Sequence, residues 1–288
     1  MLLFDGRQHA SYIDATIKNL LETQKNTGTL LIVLVGDNAS STKYIQNKIK
    51  LCDQFGIKTR FDHIPSDLSD AQIVQTITAS FNLVEVQGGI LQMPLPRKTL
   101  NAVLPQLPPQ KDVDLLFPAN VSAFFNNDFK LLSPVVRGFL YFVQVSTLDK
   151  NVQVTPSTHN IDLLTNFRQT CLSKTFTIIG HGELVGKPIA HLITALGGKV
   201  QIIPRYKRGD RIQSDYLILG TGAPNLVDIQ DVNSDCHILD FGTAVVEGKI
   251  QGDLSLSKAE NHRGLVSASP GGIGPIVLRF LLLNFLKH

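Results

Sequence analysis

Cysteine is scarce in this sequence. Its 288 residues include three, Cys52, Cys171 and Cys236, far apart and without metal-ligand spacing. That excludes a disulfide framework and a cysteine metal site, and it suits a reducing compartment, so a cytoplasmic location is expected. No apolar run reaches the roughly 18 residues that a membrane span needs. The opening residues, MLLFDGRQHA, lack the basic start, apolar stretch and small-residue cleavage site of a signal peptide. Nor is one sign of charge in excess: 27 basic against 24 acidic residues leave a net +3, too little to point to nucleic acid. Repeats, low-complexity tracts and long linkers are missing. His63, His159, His191 and His237 have no pairing that would bind a metal, so none is expected.

What the chain does contain is an ordinary globular balance, 43% hydrophobic and 18% charged, with a length for which two domains are the default. Strand-like runs alternate with helical periodicity. Leu30–Val35 is a short run of β-formers closed by Gly36. Apolar positions then recur at helical spacing from Ser41 to Phe55, with Gly56 as the terminating glycine. Lys58–Ile64 and Gly89–Gln92 read as strands and Asp70–Leu83 as the helix between them. A second series opens with a helix entry at Thr155-Pro156. It continues through strands at Phe176–Ile179, Lys199–Ile203, Tyr216–Leu219 and His237–Asp240, with a helix over Val185–Leu196. Gly274–Leu286 is a strongly apolar terminal helix. This order predicts an α/β fold with parallel sheets and right-handed crossovers. The proline-rich stretch Pro94–Pro109 is left open between a surface loop and the wall of a cleft.

Gly180, Gly182 and Gly186 lie between a strand and a helix in IIGHGELVGKP. Glycines there let backbone approach a pyrophosphate, and the helix N-terminus offers free N–H groups, the context of a dinucleotide site. His181 lies within the turn and is weighed as a phosphate contact. Thr221 and Gly222, after the Tyr216–Leu219 strand, are placed on the same cofactor. NAD-binding units carry an acidic residue at the end of the second strand. Here that strand ends in Pro204-Arg205-Tyr206-Lys207-Arg208. A cationic strand end suits a 2′-phosphate, so NADP is expected, with Arg205 as a contact, and NAD is the lesser expectation.

Tyr44 and Lys48 stand four apart and share a helix face. The segment around them, VGDNASSTKYIQNKIKLCDQFGI, resembles the N-terminal signature of the bifunctional methylenetetrahydrofolate dehydrogenase/cyclohydrolase family. So do GGILQMPLP at Gly88–Pro96, KDVD at Lys111–Asp114, GHGELVGKP at Gly180–Pro188, LDFGT at Leu239–Thr243 and SPGGIGP at Ser269–Pro275, in the family's order and spacing.

The resemblance implies two lobes with a cleft between them. The first is an N-terminal α/β folate-binding lobe, residues 1–116 completed by 270–288. The second is a Rossmann-type dinucleotide-binding lobe, residues 117–269. It implies NADP-dependent oxidation of 5,10-methylenetetrahydrofolate, hydrolysis of the methenyl product, and a homodimer. Lys48 would be the catalytic lysine, Tyr44 would lie against the pterin, Gln92 would hold Lys48, and Asp114 would bind the pterin's amino edge. Pro270, Gly271 and Gly272 would form a backbone wall where substrate and nicotinamide meet. The chain departs from the pattern on the cofactor side. His181-Gly182 stands for Arg-Ser, Leu115 for a glycine, Gln153–Thr158 for Pro-Cys-Thr-Pro-x-Gly, Ala268-Ser269-Pro270 for Pro-Val-Pro, and Val277 for a threonine. Two rivals remain: a similar dehydrogenase acting on another small substrate, and a folate-binding protein whose cofactor use has weakened.

Overall fold

The computed structural model describes residues 1–23, 27–148, 159–257 and 259–287. The helix entry at Thr155-Pro156 and the Gln153–Thr158 stretch lie outside the described residues. The chain runs β1 (Leu2–Leu3), α1 (Gly6–Thr23), β2 (Thr29–Val35), α2 (Ala39–Gln54), β3 (Lys58–Ile64), α3 (Asp70–Asn82) and β4 (Val86–Leu91). A 3-10 helix over Lys98–Gln106 leads to α4 (Pro118–Phe125), α5 (Pro134–Ser146) and α6 (Asn160–Ser173). Then follow β5 (Thr175–Ile179), α7 (Gly186–Ala195), β6 (Lys199–Ile203), β7 (Tyr216–Leu219), β8 (Val227–Asp228) and β9 (His237–Asp240). The hairpin β10 (Ala244–Val246)/β11 (Lys249–Gln251), β12 (Leu254–Ser255), β13 (Leu265–Ser267) and α8 (Gly274–Phe285) complete it. None of the described helices is long and apolar enough to cross a membrane.

Contacts divide the chain into a smaller unit, Ala15–Ser133 with Phe280–His288, and a larger one, Met1–Asp14 with Pro134–Arg279. The first residues belong to the larger unit because β1 pairs in parallel with β13, and Phe4 N–H then donates to the Val266 carbonyl at 2.9 Å.

The smaller unit is built on three parallel strands in the order β3-β2-β4. The central strand β2 is buried from Leu30 to Val35, which explains its unbroken apolar run. Asn38 caps α2, its side-chain oxygen accepting from Ser41 N–H at 3.0 Å, and the helix stops where Gly56 takes φ +67°. Ser69 and Gln72 form a capping box on α3, which turns Ile73, Ile77 and Phe81 into the core. The proline-rich stretch is more than a plain surface loop. Its 3-10 helix presses Leu100 and Val103 into that same core. Arg97 pins its start, with Nη1 donating to the Ser66 carbonyl at 2.6 Å and Nη2 to the Leu68 carbonyl at 3.0 Å. The end of α8 closes the unit. Asn284 Nδ2 donates to the Val113 and Leu132 carbonyls at 3.0 and 2.9 Å.

The larger unit holds a six-stranded, all-parallel sheet in the order β1-β13-β9-β7-β5-β6. From β5 the chain steps outward to β6, then crosses to β7 and proceeds the other way to β9 and β13. The order therefore reverses between β5 and β7, and in open α/β sheets a ligand crevice forms at the carboxyl ends of the strands beside such a reversal.

Gly56→Ala isolates one backbone constraint, since a Cβ at Gly56 would meet nothing within 4 Å. The only cost is the left-handed conformation, on the order of 1 kcal/mol. Gly89→Ala should cost clearly more, because its Cβ would strike the buried Phe81 ring. Denaturant unfolding of both variants checks the ranking; equal losses would contradict it.

Candidate active site

In the smaller unit, the turn after β4 and the middle of α2 meet. The ladder runs on past β4, with Gln92 N–H donating to the Val33 carbonyl at 2.9 Å, so Gln92 is held at the carboxyl end of the sheet. Its Nε2 donates to the Met93 carbonyl at 2.9 Å, which leaves Oε1 to accept from Lys48 Nζ at 3.1 Å. Lys48 is only 3% exposed. Its Nζ lies 4.6 Å from the centroid of the Tyr44 ring, one helical turn earlier. Tyr44 itself is 37% exposed, so ring surface is open to a ligand.

The KDVD segment supplies the acid, and its first two residues build the support. Lys111 Nζ donates to the Phe81 and Leu83 carbonyls at 2.8 and 2.9 Å, at the C-terminal end of α3 where a cation is favoured. Asp112, fully buried, accepts from the Asp114 and Leu116 amides at 3.3 and 3.1 Å and from the Phe117 amide at 2.9 Å. Those bonds fix the turn that carries Asp114. Within it Leu115 sits at φ 59°, the left-handed region that glycine occupies more readily.

The electrostatics follow from burial. Desolvation lowers the Lys48 pKa below the ordinary lysine range, and the negative charge of Asp114 opposes it. Desolvation raises the Asp114 carboxyl, against the charge of Lys48 and with that of Asp112. An amide partner adds no negative charge to hold the ammonium protonated. The arrangement yields a buried amine able to exist neutral and to hand a proton back and forth. Tyr44, Lys48, Gln92 and Asp114 are thus gathered in one unit.

The dinucleotide candidates lie in the larger unit. A pocket of about 330 Å³ is lined by Gly182, Glu183, Leu184, Val185, Gly220, Thr221, Gly222, Phe241, Gly242 and Thr243, at the carboxyl ends of β5, β7 and β9. Gly180 takes φ +94°, and a Cβ there would lie 2.8 Å from the Gly220 carbonyl oxygen. A Cβ at Gly186 would collide with the Gly180 carbonyl, so these two glycines frame the turn. Gly182, Thr221 and Gly222 contribute to the pocket wall. His181 and Arg205 are exposed and are not among its lining residues. Arg205 follows directly on the strand whose Ile203 carbonyl accepts from Gly180 N–H at 3.2 Å, so the basic strand end adjoins the glycine turn. A turn framed by glycines, beside a sheet reversal and a helix N-terminus, fits a dinucleotide.

Pro270, Gly271 and Gly272 also belong to the larger unit. Gly6 N–H donates to the Gly271 carbonyl at 3.0 Å, and Gly272 N–H to the Ala268 carbonyl at 2.9 Å. Two residues escaped the sequence reading. Asp240 and Asp253, each 1% exposed, stand behind the pocket loops. Asp253 Oδ2 accepts from Thr221 N–H at 2.6 Å, Thr221 Oγ1 at 2.8 Å and Gly222 N–H at 3.2 Å. Asp240 accepts from the amides of Gly242, Asp253 and Leu254 at 2.8, 3.2 and 3.1 Å, and burial pushes its carboxyl up to about 6. The available signal for Asp240 is the LDFGT block itself, whose aspartate ends strand β9.

Two family models match. Residues 4–114 match the tetrahydrofolate dehydrogenase/cyclohydrolase catalytic domain, and residues 154–288 match the NAD(P)-binding domain of the same family. Among similar proteins, the bifunctional protein FolD of Aquifex aeolicus is 29% identical over 99% of this chain and 94% of its own. That of Hydrogenobaculum is 28% identical over 100% and 98%. Among solved structures, the FolD methylenetetrahydrofolate dehydrogenase/cyclohydrolase of Campylobacter jejuni is 26% identical, with a TM-score of 0.80 over 100% of this chain and 98% of its own. The Trypanosoma brucei enzyme, complexed with NADP and an inhibitor, shares the fold at 20% identity, with a TM-score of 0.81 over 100% and 96%.

The coupling of Lys48 to Asp114 has a measurable sign. The Lys48 amine should titrate below the usual lysine value of about 10.4. Asp114→Asn removes the larger of the two influences that favour the ammonium, Asp114 and Cys52, so the Lys48 pKa should fall further. Titration of the lysine side chains by NMR reads both; a Lys48 pKa that rises in the variant would refute the coupling.

Proposed function

The chain belongs to the tetrahydrofolate dehydrogenase/cyclohydrolase family, and from that premise we propose how its residues divide the family's work. It oxidises 5,10-methylenetetrahydrofolate to the methenyl form with an NAD(P) cofactor and hydrolyses the product to 10-formyltetrahydrofolate. The observation that carries the proposal is Lys48: buried, held by the amide of Gln92, and within electrostatic reach of Asp114 and Cys52.

Tyr44 offers its exposed ring as a stacking surface for the pterin. Asp114 pairs with the amino-pyrimidine edge through two hydrogen bonds, a bidentate and ring-specific geometry. The bound cofactor supplies the two-electron acceptor for the first reaction. The second reaction adds water to a cation and opens the ring: water gives up one proton as it attacks, the leaving ring nitrogen takes one up, and the carbinol proton is released to solvent as the formyl group forms. Lys48 Nζ, its pKa lowered by burial, is the group that takes the proton from water and delivers it to the ring nitrogen, and Gln92 Oε1 keeps the amine aimed. Pro270, Gly271 and Gly272 serve as a backbone wall for the reacting rings.

For the cofactor, Gly180, Gly182 and Gly186 with Thr221 and Gly222 receive the pyrophosphate. The exposed Arg205, with Lys207 and Arg208 near it, meets a 2′-phosphate, and the cofactor is NADP. His181 adds a contact at the turn. The reading extends to a homodimer in the cytoplasm. Three buried, unbridged cysteines accord with that compartment.

A spectrophotometric assay with methylenetetrahydrofolate and either NADP or NAD tests the function directly. Lys48→Met should abolish methenyl hydrolysis while the protein stays folded, because the chain length is kept and the proton chemistry is lost. More than about a tenth of wild-type rate would remove Lys48 from the mechanism, since such groups contribute on the order of a hundredfold or more.

Cofactor choice gives a second test. Arg205→Ser should raise the Michaelis constant for NADP on the order of tenfold at low salt and leave that for NAD almost unchanged. The effect should shrink as ionic strength rises, because exposed charges are screened over about 8–10 Å. A wild type that uses NAD better than NADP would overturn the assignment.

A further inference from the structure

The carboxylates behind the dinucleotide pocket form an interlocked pair. A Cβ at Gly242 would collide with the Asp253 carboxylate, and a Cβ at Gly252 would collide with that of Asp240. Each acid therefore lies directly over a glycine next to the other acid's segment. Asp240 Oδ1 holds both Gly242 N–H, at 2.8 Å, and Asp253 N–H, at 3.2 Å, so it ties the loop after β9 to the 252–254 segment. Asp253 in turn uses Oδ2 for Thr221 and Gly222, the loop after β7, while its buried Oδ1 has no hydrogen-bond partner among the described residues. Both loops line the pocket.

An uncompensated buried carboxylate oxygen is costly. Burying two acids side by side, with backbone amides and the Thr221 hydroxyl as donors, is a poor way to gain stability. It is a good way to hold loops at a set spacing, because carboxylates draw amide donors into short, directional bonds. Gly222, at φ +71°, and Thr221 have no regular ladder beyond β7 to position them, so Asp253 replaces that ladder.

We propose that Asp253, seated by Asp240, is a positioning residue that holds the Thr221–Gly222 turn in the conformation that accepts the dinucleotide. Asp253 does not touch the cofactor; it acts through Thr221 and Gly222. This rests on the cofactor reading given above and adds the residue that shapes the site. Geometry, rather than charge, is what matters. An amide oxygen at the Oδ2 position accepts the same three bonds. A longer carboxylate does not fit, because the acid is wedged against Gly242.

The test compares Asp253→Asn, Asp253→Glu and Asp253→Ala in the full-length protein. NADP binding is read by calorimetry, and methenyl hydrolysis is assayed without any dinucleotide. Asn should bind NADP within about threefold of wild type, and Glu and Ala on the order of tenfold more weakly, as expected when the binding-competent conformation becomes a minor population. Hydrolysis should stay within about twofold in all variants that fold. The Asn and Glu pair decides the matter even if Ala fails to fold. The inference is overturned if Glu binds NADP as well as Asn, if the weakened variants bind like wild type, or if hydrolysis falls in step with binding. Wild-type protein that binds neither NADP nor NAD would overturn the cofactor reading and this inference together. Normal wild-type binding with unaffected variants would overturn this inference alone.

Discussion

Every strand pairing in the two principal sheets is parallel. Parallel neighbours cannot be joined by a tight hairpin, so each connection must cross over, usually through a helix. The loops at the carboxyl ends of the strands are then freed for chemistry. In the smaller unit this places Gln92 just past β4, opposite a helix that itself springs from the end of β2. In the larger unit it gathers the loops after β5, β7 and β9 around one pocket. The sequence can spend its side chains on binding and proton transfer because the sheets have already assembled the positions.

Buried charge is handled differently at each place. Asp112 is saturated by backbone amides and serves as a fixed post for the turn that carries Asp114. Lys48 is given an amide partner and an acid within electrostatic reach, so both of its protonation states are accessible. Asp240 and Asp253 share the loops of the pocket, and one of their oxygens has no hydrogen-bond partner among the described residues. A fold selected only for stability would replace such groups with apolar ones. Their placement beside the two candidate sites is what the roles proposed for them require.

Several elements could be read directly from residue order. The strands Lys58–Ile64, Lys199–Ile203, Tyr216–Leu219 and His237–Asp240 emerge with the bounds that pattern assigned to them. They are short β-rich runs between polar or glycine stops, and local preference agrees with tertiary need. The 3-10 helix over Lys98–Gln106 was not legible, because proline obscures periodicity and only the core tells Leu100 and Val103 which way to face. Helix α5 was missed for a related reason: it is buried nearly all round, so no polar face gives it a period.

Tyr44 and Lys48 were visible as a pair because four residues along a helix always share a face, and the glycine turn because it stood between a strand and a helix. The ordered blocks carried the family. Local sequence alone therefore determined the parallel α/β plan, the lysine face and the site of the glycine turn. Only the tertiary structure decided that Gln92 and Asp114 attend Lys48, and that Asp240 and Asp253 interlock behind the pocket. Those contacts join segments separated by tens of residues, and their energy depends on burial and distance, quantities that exist only once the chain has folded.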